Sequence, residues 1–504
     1  GESRTRARRM ASRRSALRLL AVLRTSALLL LIQVHLSESC ASWCNKWLCK
    51  SEPKCHRCGA EIGCTAKPPP PPIPPPSPHV PPRSNTVVPG AIKFGGSRGV
   101  LMANEAPFNI KGVNWFGSEG RVGPPLGLEA HKMSWYMEFL QQHNFNAIRF
   151  LFNHESVLQD SPSESKTDGF FVIAQSSLKP RAGGESPELA GLNYLDMFAR
   201  IAEVASEYGI LVMMACHRLN PKAWPGGGKW YDRTITEEHV KQSWDRIAAR
   251  LCGQWNVFAA DLQNEPHSSS WAEGLGQESD WGHAAERLGN HVLSRCPRWL
   301  IMVEGVGSEP GSPGFDDVNQ GIFWGENIAG AKQQPVMLAD PSKLVYAPHT
   351  YGPSVFSQSY FSGWEFPANM PGIWQARFAF AKEQHGTPIV IGEFGGLLTA
   401  KNYQDVGRSP EGAKGDKAWH EALVRFVQAN GIGAFYFALN PGSKDTGGLL
   451  KSDYTTPEEE KLAIISSLPS TKVLPLHQAS LASLPPGFAL LPPTVQSAAR
   501  PPCP

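Results

Sequence analysis

Short, nearly unbroken apolar runs recur through the middle of the chain, at residues 108–116, 147–152, 210–216, 258–263, 300–304, 344–348, 389–393 and 434–439. Such runs mark strands buried on both faces, as in a parallel sheet. Between most of them, residues 128–143, 192–208, 237–254, 280–294, 370–385 and 414–430 space their apolar side chains as one face of a helix. Eight strands alternating with helices predict a (β/α)8 TIM barrel, an α/β fold. The competing arrangement is a doubly wound open sheet, but no Gly-rich phosphate loop follows the first strand.

The pattern stops at both ends. Residues 68–82 are almost all proline, which favours a stiff polyproline II spacer without a core. Before it, Cys40, Cys44, Cys49, Cys55, Cys58 and Cys64 crowd into one short stretch. Six close cysteines read as three disulfides stapling a small module. Zinc is the alternative, because Cys55 and Cys58 form a C-x-x-C. Further upstream, Arg13, Arg14, Arg18 and Arg24 precede an apolar stretch at 27–32 that is too short to span a bilayer. Ser37, Ser39 and Ala41 then offer small residues for cleavage, with Met10 a candidate start. This reads as an export signal, with an Arg- and Ser-rich plastid transit peptide as its competitor. The cysteine cluster favours secretion.

The expected organisation is therefore a signal or targeting region at 1–39, a Cys-rich module at 40–66, a Pro-rich linker at 67–86, a catalytic barrel at 87–468 and a disordered Pro-rich tail at 469–504. A secreted monomer, extracellular or in the cell wall, is expected, with no membrane contact once the signal is removed. No N-x-[S/T] triplet occurs. The net charge of +3 is small, and much of the arginine lies in the first two dozen residues, so no basic face argues for nucleic acid. Fifteen tryptophans can serve either a large aromatic core or a ligand surface.

Barrel enzymes carry their reactive groups at the C-terminal ends of the strands. Those ends read Arg149 on strand two, His217 and Arg218 on three, Asn264, Glu265, Pro266 and His267 on four, Glu304 on five, His349, Thr350 and Tyr351 on six, and Glu393 on seven. Any one of them could be a satisfied polar residue at a strand end; packing alone does not require the whole set. Two carboxylates on strands four and seven suit glycoside hydrolysis with retention, in which one protonates the leaving oxygen and the other attacks the anomeric carbon. His217 and His349 lack a third ligand at metal spacing, so neither a metal nor a cofactor is expected.

Asn264, Glu265 and Pro266 after an apolar strand, with 391–395 (Ile-Gly-Glu-Phe-Gly) far downstream, resemble glycoside hydrolase family 5, the cellulase family. The likeness runs from about Gly112 to Tyr454. It includes 112–117 (Gly-Val-Asn-Trp-Phe-Gly), 303–306 (Val-Glu-Gly-Val), Asn440 with Pro441, and 445–448 (Asp-Thr-Gly-Gly), in the manner of endo-β-1,4-glucanases. The resemblance implies Glu265 as acid/base and Glu393 as nucleophile. Asn264 would hydrogen-bond the sugar 2-hydroxyl, Arg149 and Tyr351 would border Glu393, and His217 and His349 would line the bound sugar. The family usually has Trp where Phe437 stands, and often Asp where Ala215 stands; these departures bear on substrate preference more than on reaction type.

Trp115, Trp224, Trp230, Tyr231 and Trp324 fall just beyond predicted strands, where rings can stack on sugars of a β-glucan; Trp115 and Trp230 are taken with Phe437 as substrate contacts. For each ring a place in the core is at least as good a reading. Trp43 and Trp47 give the Cys-rich module a resemblance to carbohydrate-binding modules, against a wall anchor or a structural knot. Cys252 and Cys296 enter neighbouring strands and are expected to form a disulfide. A mannanase, a xyloglucanase or an exo-β-glucanase could use the same residues. A catalytically silent wall-binding protein needs neither Glu265 nor Glu393.

Overall fold

A computed structural model describes residues 92–120, 123–160, 186–222, 227–271, 278–307, 321–475 and 488–490. The expected signal, Cys-rich module (with Trp43 and Trp47), linker and Trp224 lie outside the described residues.

A small antiparallel sheet comes first: β1 (Phe94–Ser97), β2 (Val100–Ala103) and β3 (Ala106–Pro107). Eight parallel strands follow: β4 (Lys111–Trp115), β5 (Ala147–Asn153), β6 (Leu211–Arg218), β7 (Val257–Asp261), β8 (Leu300–Val303), β9 (Leu344–Tyr346), β10 (Val390–Phe394) and β11 (Gly433–Tyr436). Each pairs with the next from β4 to β9, and β10 pairs through β11 back to β4. Parallel bridges Tyr346–Ile389 and His349–Glu393 join β9 to β10 and complete the ring. The expected (β/α)8 barrel is therefore present, and the eight expected strands all lie in it.

Alternation along each strand sorts the side chains into two sets. Ile148, Phe150 and Phe152 of β5, with Val212, Met214 and Cys216 of β6, face outward into the main core against the helices. Ala147, Leu211, Met213, Leu300, Met302, Val345 and Phe435 point inward. They meet Ile92, Phe94, Leu101, Ala103, Phe108 and Ile110, so the β1–β2 hairpin floors one end of the barrel. The hairpin escapes the apolar pattern because β1 reads Phe-Gly-Gly-Ser. Polar side chains fill the other end.

The long helices occupy the expected segments: Met133–Gln142, Tyr194–Glu207, Glu237–Leu251, Trp281–Arg295 and Gly412–Asn430. Thr236 and Asp280 cap two of them by accepting the amides of His239 and His283. Segment 370–385 is helical throughout but contains a π turn at Gln375–Ala379. Cys252 and Cys296 follow the helices Glu237–Leu251 and Trp281–Arg295, and form the expected disulfide with Cα atoms 5.7 Å apart.

Order continues past the expected boundary at 468. Val473 of β12 (Lys472–Leu474) packs on the barrel floor, Asn146 donates to the Thr471 carbonyl at 2.9 Å, and β12 pairs with β13 (Phe488–Leu490). A buried valine and satisfied backbone polar groups make this stretch part of the domain, which corrects the start of the tail. Among the described residues no helix is long and apolar enough to cross a membrane.

Candidate active site

Arg149 points into the polar end of the barrel from β5 and is fully buried. Its Nε donates to Asp261 Oδ2 at 2.8 Å, and its Nη2 to Glu304 Oε1 and Asn264 Oδ1, both at 3.0 Å. Its Nη1 donates to Asn114 Oδ1 at 2.9 Å and to Glu393 Oε1 at 2.5 Å. Residues from β4, the end of β7, the end of β8 and β10 thus share the one guanidinium that β5 supplies. The planar fork of arginine suits such multiple pairing. Burial opposes its charge, but the carboxylates of Asp261, Glu393 and Glu304 outweigh that penalty and keep Arg149 cationic.

Glu393 receives a second donor, the Tyr351 hydroxyl. His217 Nε2 stands 3.7 Å from the same carboxylate. Burial, reinforced by the charges of Arg149 and Arg218, pushes the His217 pKa well below its ordinary value, so the ring is neutral at neutral pH.

Glu265 follows β7 on a backbone with φ of 44°, a region that non-glycine residues rarely adopt. Glu304 holds this turn by accepting the Glu265 amide at 2.7 Å. His349 lies between the two acids, with Nδ1 3.1 Å from Glu265 Oε1 and Nε2 3.1 Å from Glu304 Oε1. Burial disfavours the imidazolium, but Glu304 and Glu393 and the contact with Glu265 win, and the His349 pKa is pushed up to about 10. Burial pushes Glu304 up to about 8, against the pull of His349. Burial also raises Glu265, opposed by the hydrogen bond and charge of His349. Gly325 (φ 78°) closes over this group: a Cβ there would meet Glu304 Oε2 at 2.9 Å and Glu265 Cγ at 3.2 Å.

Two aromatic surfaces flank the acids. Phe437, half-buried, stacks on Phe116 with centroids 5.7 Å apart and planes 8° apart. Trp324, 40% exposed, stacks on His267 at 3.8 Å and 14°. A cavity beside Asn264 is lined by His217, Arg218, Asn220, Lys229 and Asp232.

Trp115 and Trp230 are not at this site, which corrects their expected role as sugar platforms. Trp115 faces outward from β4, fully buried against Tyr136 and Phe150, with its indole N–H bonded to the Leu126 carbonyl. Trp230 is buried against Trp281 and donates to Glu237 Oε2 at 2.9 Å. Neither has a free face. Tyr231 is half-buried, with its hydroxyl on the Glu278 carbonyl.

Asn114, Asp261 and Phe116 belong to the site but were not among the expected site residues. Asp261 carried a usable signal, since a charged residue inside an otherwise apolar strand needs a buried partner. Metal-like geometry also exists: ligand atoms of Asp261, Glu304 and His349 lie within 4.8 Å of one another, as do those of Glu265, His349 and Glu393. The positive charge these acids need is supplied by Arg149 and His349, so the donor set is that of an ion-pair network. Chemically, the site presents one carboxylate held by two donors, facing a second with a raised pKa.

A family model described as cellulase, glycosyl hydrolase family 5, matches residues 101–443. The chain is 34% identical over 385 residues to an endoglucanase of Paenibacillus polymyxa, with 75% of this chain and 87% of that protein covered. It is 32% identical to the major extracellular endoglucanase of Xanthomonas campestris pv. campestris, covering 74% and 70% of the two chains. An endocellulase from Pyrococcus horikoshii, solved with cellotetraose, matches at TM-score 0.64 and 32% identity, over 75% of this chain and 98% of that one. The family match takes in every barrel strand and both acids, and the chain belongs to glycoside hydrolase family 5, the cellulase family.

Proposed function

We propose that the protein hydrolyses internal β-1,4-glucosidic bonds of cellulose or a related β-glucan by double displacement, with retention at the anomeric carbon. The observation that carries this reading is the placement of Glu265 and Glu393, whose nearest carboxylate oxygens lie within 4.8 Å of each other. Retaining enzymes hold their carboxyls roughly 5–5.5 Å apart, whereas inverting ones need roughly 6.5–9.5 Å to admit a water. The names of the relatives, endoglucanases and endocellulases, support the substrate class.

In the first step a Glu393 oxygen attacks the anomeric carbon while Glu265 gives its proton to the departing glycosidic oxygen. In the second, Glu265 takes a proton from water, the hydroxide oxygen bonds the anomeric carbon, and the bond to Glu393 breaks. Burial of Glu265 keeps its proton available for the first step. Arg149 and Tyr351 fix the Glu393 carboxylate by donating to both its oxygens. Because Asn264 Oδ1 accepts from Arg149, its amide N–H2 is left to meet the sugar 2-hydroxyl. Phe437 and Trp324 supply stacking faces on either side of the bond. We place the enzyme outside the cell, with the Cys-rich module as a carbohydrate-binding tether that raises local concentration on an insoluble polymer.

Reducing-end release from soluble cellulose derivatives, mannan and xyloglucan, compared with the Glu393→Gln variant, tests the assignment. Soluble cellulose should be cut fastest and the variant should be inert. Undiminished activity in the variant removes Glu393 as nucleophile, and a product of end-released disaccharide alone removes internal cutting.

A further inference from the structure

The long helix Gly412–Asn430 buries an acid that takes no part in the proposed bond-breaking. Asp416 is fully buried, and its two carboxylate oxygens accept backbone amides from two different loops. Oδ2 accepts from Leu398, in the loop after β10, at 2.8 Å, and Oδ1 from Ser354, in the loop after β9, at 3.3 Å. Lys461, a buried cation on which its charge acts, donates instead to the Thr446 and Gly448 carbonyls at 2.6 and 3.0 Å. Among the described residues, amides rather than an ion pair therefore satisfy this carboxylate. A buried carboxylate is costly to keep unless such donors are held against it.

The fit around Asp416 is close. A Cβ at Gly396 would meet Asp416 Oδ2 at 2.5 Å and His420 Cε1 at 2.6 Å, and one at Gly352 would meet Asp416 Oδ1 at 2.7 Å. Glycine alone lets both loops come this near the carboxylate. Leu398 holds a left-handed backbone, with φ of 67°, where its amide meets Asp416. Ser354 joins the loops directly, its Oγ accepting the Leu397 amide at 3.2 Å. Both loops continue from residues at the centre of the site. Ser354 stands three positions after Tyr351, and Leu398 five after Glu393. Tyr351 donates its hydroxyl to Glu393 Oε2 from beyond the His349–Glu393 bridge, where the ladder between β9 and β10 no longer fixes it.

We infer that Asp416, with Ser354, is a positioning residue for the nucleophile: by fixing the loops after β9 and β10 to one helix, it holds the Tyr351 hydroxyl on Glu393. A hydrogen bond to a charged oxygen is strong only in good geometry, and a small displacement of either partner costs rate. Asp416 acts wholly through these two loops. The inference rests on the reading of Glu393 as nucleophile and adds what keeps it aligned.

Covalent trapping of the full chain by a dinitrophenyl 2-deoxy-2-fluoro-β-cellobioside tests it. A Glu393 oxygen bonds the anomeric carbon and dinitrophenolate leaves with the electron pair, needing no proton from Glu265, so the first-order trapping rate reports on Glu393. Asp416→Asn keeps the shape but turns an N–H2 towards one of the two amides. It should lower the trapping rate about tenfold, while affinity for the inactivator holds within about twofold. Tyr351→Phe should slow trapping in the parent but add little in Asp416→Asn, because both remove the same contact. Ser354→Ala, which leaves the buried carboxylate in place, should slow trapping about threefold with the same lack of additivity, and it serves alone if Asp416→Asn does not fold. Either variant trapped at the parent rate, or losses that simply add to that of Tyr351→Phe, would overturn the inference. A parent that is not trapped at all removes the nucleophile itself, a failure distinct from that of Asp416.

Discussion

Arg149 Nη1 lies 2.5 Å from Glu393 Oε1, although the two residues stand 244 positions apart in the chain. The same guanidinium also holds Asp261 and Glu304, so three buried acids share it, two of them also facing the His349 imidazolium. Losing one partner of a buried ion pair costs more than the pair itself contributes, because a bare charge is left behind.

Arg149→Ala should therefore destabilise the barrel by about 3–5 kcal/mol. Arg149→Lys keeps the charge but cannot satisfy five acceptors, and kcat should drop by roughly a hundredfold as Glu393 loses its orientation. Denaturant titration and steady-state kinetics read the two effects separately. A lysine variant with wild-type kcat would show that the fork geometry is dispensable.

His349 contributes a pH dependence with a definite sign. Its folded pKa of about 10 stands above the ordinary 6.5. The stabilisation from its charge is complete below about pH 6.5 and is lost as pH rises towards 10. His349→Gln should flatten the decline in stability over that window. Because His349 holds the Glu265 pKa down against burial, the same variant should move the basic limb of the kcat/KM profile to higher pH. A limb that moves down, or stays, would contradict the placement of the imidazolium beside the acid.

The Cys252–Cys296 bridge closes a loop with a sequence separation of 44. Cross-linking a loop of that length is worth about 2–4 kcal/mol, chiefly by restricting the unfolded chain. Cys252→Ser should lower the melting temperature by several degrees, and reductant should lower it for the parent but not for the variant. The bridge lies away from the acids, so kcat at low temperature should hold.

Phe437, half-buried, stacks on the half-buried Phe116. Phe437→Ala should raise KM for cellohexaose about tenfold through the lost apolar face. Phe437→Trp, which restores the residue usual in the family, should lower KM below the parent. Equal KM values across the three proteins would place the sugar elsewhere.

Much of the fold is legible along the chain, because a strand buried on both faces must be a nearly continuous apolar run wherever it lies. The eight runs, the helices between them, the chemistry at their ends and the pairing of Cys252 with Cys296 all rest on such local or near-neighbour rules. Strand parity would also have corrected Trp115: Val113 and Trp115 share one face of β4 and Asn114 takes the other, the face that reaches Arg149. The Gly-rich β1 and the ordered stretch at Lys472–Leu474 carry too little apolar pattern to read in advance.

The alternation of side chains along each strand determined from sequence alone which residues were candidates for the barrel interior. The tertiary structure decided which of them met. Inter-strand register and closure of the ring set the depth of each side chain. This is why Arg149, Asp261, Glu304 and Glu393 share one layer, and why Trp230 is sealed beneath Trp281 while Trp324 remains in water. Those depths depend on contacts between segments hundreds of residues apart, and no local pattern encodes them.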